Sequence, residues 1–219
     1  MRPPTQSPAQ SSTKPITGSL AGSPRNKRPR GALAVAAAAG LTLAFTATAT
    51  ATATAAPFGG HAHRTVTTAD NETFHLKLAA GPTVLPTSGR STVQVKGAGY
   101  NRTQGIFLAF CVIPEGVRVG DPTTYTTLPG PCLPGAETKD GSSRRITDSG
   151  TGTPGITLPY KDGGKFRTTL ENIRPEIKDG VVCDVNVRCA IVTRADFTAT
   201  NERLYDQYIP VRFAPNRRG

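Results

Sequence analysis

No tryptophan occurs among the 219 residues, methionine occurs once, and the three histidines stand at 61, 63 and 75. The rest of the chain therefore offers no imidazole for acid–base or nucleophilic work. A G-x-S-x-G elbow, an H-E-x-x-H helix, a P-loop and an EF-hand loop are all missing. "KDGGK" (161–165) approaches a phosphate cradle, but Phe166 stands where a Walker loop needs Ser or Thr. Glu171, Glu176 and Asp196 supply carboxylates, yet nothing brings two of them within the roughly 5–10 Å that glycoside hydrolysis uses. No stretch carries apolar residues at i, i+3, i+4 and i+7, which excludes a helical bundle. The pattern is that of a non-enzyme with no cofactor.

Acidic residues are also absent from positions 1–31, which hold six basic ones. An apolar run, "ALAVAAAAGLTLAF" (32–45), follows and dissolves into small residues that end in Ala53-Thr54-Ala55. A basic leader, an apolar centre and an A-x-A exit make a secretory signal peptide over 1–55. The apolar run, about 14 residues, is short of the roughly 20 a membrane helix needs. Retention of the leader would make it an N-terminal anchor; cleavage sends the protein to the envelope or the medium. Cutting after Ala55 leaves 20 basic and 15 acidic residues, a net +5 in place of +11. These charges are scattered, apart from Arg144-Arg145 and Arg217-Arg218. Diffuse positive charge reads first as a solvated surface and second as an affinity for an acidic wall polymer; nucleic acid is not favoured.

Four cysteines in an exported chain imply two disulfides, with three pairings open. Twenty residues separate Cys111 from Cys132 and five separate Cys183 from Cys189, spacings that fit neither a four-thiolate zinc site nor a C-x-x-C redox pair.

Residues 56–72 read as a flexible lead-in, where His61 and His63 would make at most an adventitious metal site. From 73 to 214 the chain has a β rhythm. "FHLKLA" (74–79), "TVQVKG" (92–97) and "KFRTTLENI" (165–173) alternate polar and apolar residues, and "GIFLAFCVI" (105–113) is an apolar run of strand length. "CAIVTRA" (189–195) and "QYIPVRF" (207–213) complete about seven strands, Pro210 marking the last as an edge or bulge. Three Lys-Asp-Gly turns, at 139, 161 and 178, punctuate them. This predicts an all-β, immunoglobulin-like antiparallel sandwich with an irregular stretch at 114–155 and a basic tail at 215–219. Val181–Cys183, a turn at 184–188 and Cys189–Arg194 read as a hairpin. "TRADFTATNERLYD" (193–206) mixes Arg194, Asp196, Arg203 and Asp206 with Phe197 and Tyr205, the chemistry of a recognition loop.

"TVLPTSGRSTVQVKGAGYNRTQGIFLAFC", "YKDGGKFRTTLEN", "VVCDVNVRCAIVTRADF" and "YIPVRF" follow one another in an order that resembles the neocarzinostatin and macromomycin apoprotein family over about 82–213. Those proteins are secreted Ig-like sandwiches of seven strands that shelter a labile enediyne in a cleft beside their disulfide loops. The resemblance implies the pairs Cys111–Cys132 and Cys183–Cys189, and a cleft lined by Phe110, Ile113, Val182 and Phe197. The sequence departs from the family in having Ile113 where an aromatic often lines the cleft. It also has no aromatic residue in "IRPEIKDGVV", the segment matching the phenylalanine-rich hairpin. "CAIVTRADFTATNERLYDQYIPVRF" also resembles Ig-like modules of exported actinobacterial proteins associated with haem uptake, although no His or Tyr here marks itself as an axial ligand. The expectation is a secreted, monomeric binding module that holds a small apolar ligand or a partner in the cleft under the cysteine loops. The alternative is an envelope module that binds wall polymer through its positive surface.

Overall fold

Alternation along the sequence becomes alternation between the two faces of a sheet. The computed structural model describes residues 58–215; the expected leader and cleavage site and the tail beyond 215 lie outside the described residues. In chain order the strands are β1 (Gly60–Thr67), β2 (Thr73–Gly81), β3 (Val84–Pro86), β4 (Ser91–Ala98), β5 (Ile106–Val112) and β6 (Ser143–Ile146). They continue with β7 (Thr157–Leu158), β8 (Phe166–Ile173), β9 (Glu176–Lys178), β10 (Val181–Val182), β11 (Cys189–Ala195) and β12 (Gln207–Ala214). A four-stranded sheet in the order β1-β2-β4-β8 faces a six-stranded one in the order β3-β12-β11-β5-β6-β7. The result is the expected immunoglobulin-like sandwich, antiparallel except for the short pairs β3–β12 and β6–β7. Disulfides join Cys111 to Cys132 and Cys183 to Cys189, and no cysteine is free.

The core lies between the sheets. Leu76, Leu78, Val93, Val95, Phe166 and Leu170 come from one side and Ile106, Leu108, Phe110, Ile191 and Ile209 from the other. Each alternating segment places its apolar half here, which is why these strands fall where the pattern puts them. On the outer face of the six-stranded sheet, the loop after β5 lays Tyr125 edge-on against Tyr208, centroids 4.8 Å apart, and closes a smaller core with Ile113 and Val117.

Three expectations are corrected. Residues 60–67 are a strand, not a flexible lead-in: Val66 is buried and the register from Gly60↔Ala80 to Thr67↔Thr73 is continuous. Twelve strands stand where about seven were expected: besides β1, the strands β3, β6, β7 and β9 are too short to show a period, and β6 arises within the stretch read as irregular. Val181–Val182 does not form a hairpin with β11. It pairs back onto β9, while β11 is flanked by β5 and β12, so Cys183–Cys189 closes a loop rather than a ladder. Pro210 lies inside the sheet's order, but β3 reaches β12 only at Arg212–Ala214, so the missing N–H leaves no ladder bond unmade.

Candidate functional site

The two tied loops do enclose a cleft, of about 640 Å³, between the segment that leaves β5 and residues 184–188. Its walls are held by backbone bonds: Ile113 N–H donates to the Arg188 carbonyl at 2.8 Å, and Gly130 N–H to the Val112 carbonyl at 3.2 Å. Of the four residues expected to line it, Ile113 does. Phe110 is three residues earlier on the same run and so faces the opposite side of the sheet; it is fully buried, edge-on to Phe213. Val182 is half-buried on β10 outside the wall. Phe197 follows the far end of β11, 63% exposed, with the Arg145 guanidinium 4.3 Å above its ring. Glu115, Asp184 and Arg188 line the cleft with Ile113, and no aromatic side chain does.

The segment read as a recognition loop spends its charges internally. Asp196 is buried and meets Arg145 at 2.8 Å, an ion pair with almost no solvent access. Desolvation works to raise its pKa, but hydrogen bonds from the Thr198 hydroxyl and amide, with Arg145 beside them, outweigh it and hold the carboxyl below its ordinary range. Gly105 is required here, since a Cβ would sit 2.2 Å from Asp196 Oδ2. Arg144 is likewise buried, facing Glu171, so the Arg144-Arg145 pair is not a surface patch. Asp206 takes Arg203 at 3.0 Å, and Tyr205 is buried.

The positive charge gathers elsewhere, on the outer face of the four-stranded sheet. A shallow depression of about 490 Å³ is lined by His61, His63, Lys77, Lys96, Lys161, Lys165 and Arg167 around Leu78, Ala79, Gly97, Ala98 and Phe166. Among the described residues, no acidic one lines it. Register explains the gathering. His61, Ala79, Lys96 and Arg167 are consecutive partners across the sheet, and His63, Lys77 and Ala98 form the next row. Neighbouring strands lie about 4.8 Å apart and the rows about 7 Å apart, so the cations form a lattice on one face. Gly97 lets the Phe166 ring lie against the backbone of β4, where a Cβ would approach it to 2.2 Å. The turn at 161–165 is fixed beside it: Lys161 and Lys165 exchange backbone bonds, and Gly99 N–H donates to the Gly163 carbonyl.

Lys96 stands directly opposite Arg167, and Lys161 opposite Lys165, arrangements that like charges make unfavourable. Among the described residues, no salt bridge includes these five cations; Asp162, in the turn between Lys161 and Lys165, pairs instead with Arg102 at 3.2 Å. The Phe58 ring sits beneath two of them, 4.3 Å from Lys96 Nζ and 5.6 Å from Arg167 Cζ. A folded chain that leaves cations opposed and unpaired on a concave surface presents strong attraction to an anion of matching spacing. In the sequence these residues look scattered because they come from β2, β4 and the run 161–167, far apart along the chain. The signal available was that the polar half of "FHLKLA", "TVQVKG" and "KFRTT" is cationic each time; the order of the strands was missing.

No protein-family model, curated protein or solved structure matches the chain.

Proposed function

We propose that the chain is an exported binding module that holds an anionic polymer of the cell envelope, one bearing regularly spaced phosphodiester or carboxylate groups, on the basic face of its four-stranded sheet. The observation that carries this reading is the set Lys77, Lys96, Lys161, Lys165 and Arg167, which shares one depression with no acid in its lining and no ion pair among its members. Two disulfides with no free cysteine suit an oxidising, extracellular setting. Among the described residues no helix is long and apolar enough to cross a membrane. Retention of the purified chain on immobilised teichoic-type polymer, set against a neutral glucan and duplex DNA of matched mass across a salt series, tests the proposal. Selective, salt-sensitive retention by the wall polymer supports it. Equal retention by the glucan refutes it, and stronger retention by DNA replaces the envelope polymer with nucleic acid.

A second reading is favoured by the cleft between the disulfide-tied loops, whose volume of about 640 Å³ suits a small ligand. Native mass spectrometry of protein taken from its own medium tests that one: a discrete added mass that is lost on denaturation supports it.

A further inference from the structure

A third concavity lies at the edge of the sandwich, where β1 passes β12 and the loop at 119–125 folds over both. It measures about 290 Å³. Three of its lining residues are essentially inaccessible to solvent yet leave polar atoms without partners among the described residues: Asp206 Oδ1, Gln207 Oε1 and the Tyr208 hydroxyl. Asp206 uses only Oδ2, which accepts from Arg203 Nη1 at 3.0 Å. A buried carboxylate oxygen and a buried hydroxyl left unmatched in one fold are costly, and each points to a complementary group.

The other polar groups of the cavity narrow the class of that complement. Tyr125 Oη accepts from the Gly120 amide at 3.0 Å, which leaves its own proton to donate. Arg64 donates Nη1 to the carbonyls of Arg203 and Asp206 and lies 5.4 Å from the Tyr125 ring centre, keeping Nε and Nη2 as further donors. The site thus offers two acceptors, Asp206 Oδ1 and Gln207 Oε1, two phenolic hydroxyls and a guanidinium edge, while the two tyrosine rings are taken up by each other and by Arg64. An apolar ligand would leave Oδ1 and the hydroxyls unmatched. An anion would meet Asp206, and a cation would meet Arg64. A neutral group that donates and accepts at adjacent positions satisfies all of them.

We infer that this cavity binds a neutral, hydroxyl-rich ring, a sugar residue, with Asp206 Oδ1 accepting from one hydroxyl and Tyr208, Tyr125 Oη and Arg64 donating to its neighbours. The cavity shares His61 and His63 with the lining of the basic face, but an uncharged sugar is not drawn by lysines, so failure here leaves the polyanion reading standing, and the reverse holds as well.

The test is a titration of the isotopically labelled full-length chain with glucose, galactose, mannose and xylose through the millimolar range, followed by amide chemical shifts. The expected result is a saturable shift, with at least one of the four, confined to the amides around Arg64, Gly120, Tyr125 and Asp206–Tyr208. Asp206→Asn should weaken it by about tenfold or more, and Tyr208→Phe by a few-fold. The wild-type titration reads the site without any substitution, and amide spectra of the variants report whether they fold. Absence of shifts at these amides with all four sugars, or shifts that persist undiminished in both folded variants, overturns the inference and leaves a cavity filled by water.

Discussion

Replacing Lys77 and Lys96 together by glutamine gives the sharpest test of the basic face. Lys77 and Lys96 are exposed on adjacent strands, in neighbouring rows of the sheet, and neither enters a salt bridge among the described residues. Five cations engaging a flexible polyanion release counterions with a log–log salt slope of about −0.7 each, roughly −3.5 in all. Raising salt from 50 to 200 mM should then weaken wild-type binding about 100-fold. With three cations left the slope falls to about −2 and the same change weakens binding only about 20-fold. The assay is a series of polymer affinities by interferometry at four or five salt concentrations, with urea unfolding run on the same samples. Because Lys96 opposes Arg167 across the ladder, its removal should leave stability unchanged or raise it by a few tenths of a kcal/mol. Lost affinity with retained stability is the signature of a residue kept for binding. A slope that stays near its wild-type value would refute the reasoning, because the polymer would then be touching some other surface.

Other outcomes follow from the same structure. Cys183→Ser with Cys189→Ser opens a seven-residue loop and should lower unfolding free energy by about 2 kcal/mol, whereas opening the larger Cys111–Cys132 loop should cost about 3 kcal/mol, both read from urea midpoints. Arg145→Ala strands a buried carboxylate and should cost about 3 kcal/mol or more; a loss under about 1 kcal/mol would show that Asp196 finds another partner. The two buried aspartates should act with opposite signs. Asp206 has its pKa raised to about 7, chiefly by burial, against the pull of Arg203, Arg64 and Arg194, so its share of stability is full below about pH 4 and is lost as pH rises to about 7. Asp206→Asn should therefore gain on wild type steadily across that window; a flat difference would refute the raised pKa. Asp196, held low, contributes above about pH 4 and loses its share as pH falls through its depressed value, so the deficit of Asp196→Asn should shrink only in strong acid.

Much of the fold was legible because it rests on local alternation. "CAIVTRA" coincides with β11, and "FHLKLA" and "TVQVKG" fall within one or two residues of β2 and β4. β1 was missed because Gly59-Gly60, His61 and His63 precede a single buried residue, Val66, so its inward face is small or half-exposed and shows no apolar half. The cysteine pairing follows the spacing of the family resemblance, but the hairpin drawn around it does not exist, since β5 takes the flank of β11 that β10 would have needed. The sites were the least legible part. Lys77, Lys96 and Arg167 become neighbours through β2–β4 and β4–β8 pairing, and Arg64, Tyr125 and Asp206 meet only where three distant segments cross one edge. Arg144-Arg145 shows the converse: two adjacent cations suggest a surface patch, while β6 buries both, Arg145 in an ion pair with Asp196 and Arg144 beneath the half-exposed Glu171.

The place of β5 at the centre of the six-stranded sheet sets a clock for synthesis. Its partners across the ladder, from Val112↔Cys189 to Ile106↔Ala195, lie 77 to 89 residues later in the chain. At ordinary elongation rates, roughly 5–20 residues per second, the run "IFLAFCV" waits about 4 to 18 s before the strand that covers it has been made. Throughout that interval an apolar segment of high β propensity lacks its β11 partner, and for the first 21 residues of it, roughly 1 to 4 s, Cys111 also lacks Cys132. The Pro- and Gly-rich stretch at 114–155 adds about half of this delay, so shortening it would speed closure of the sheet centre as well as reshape the loops above it.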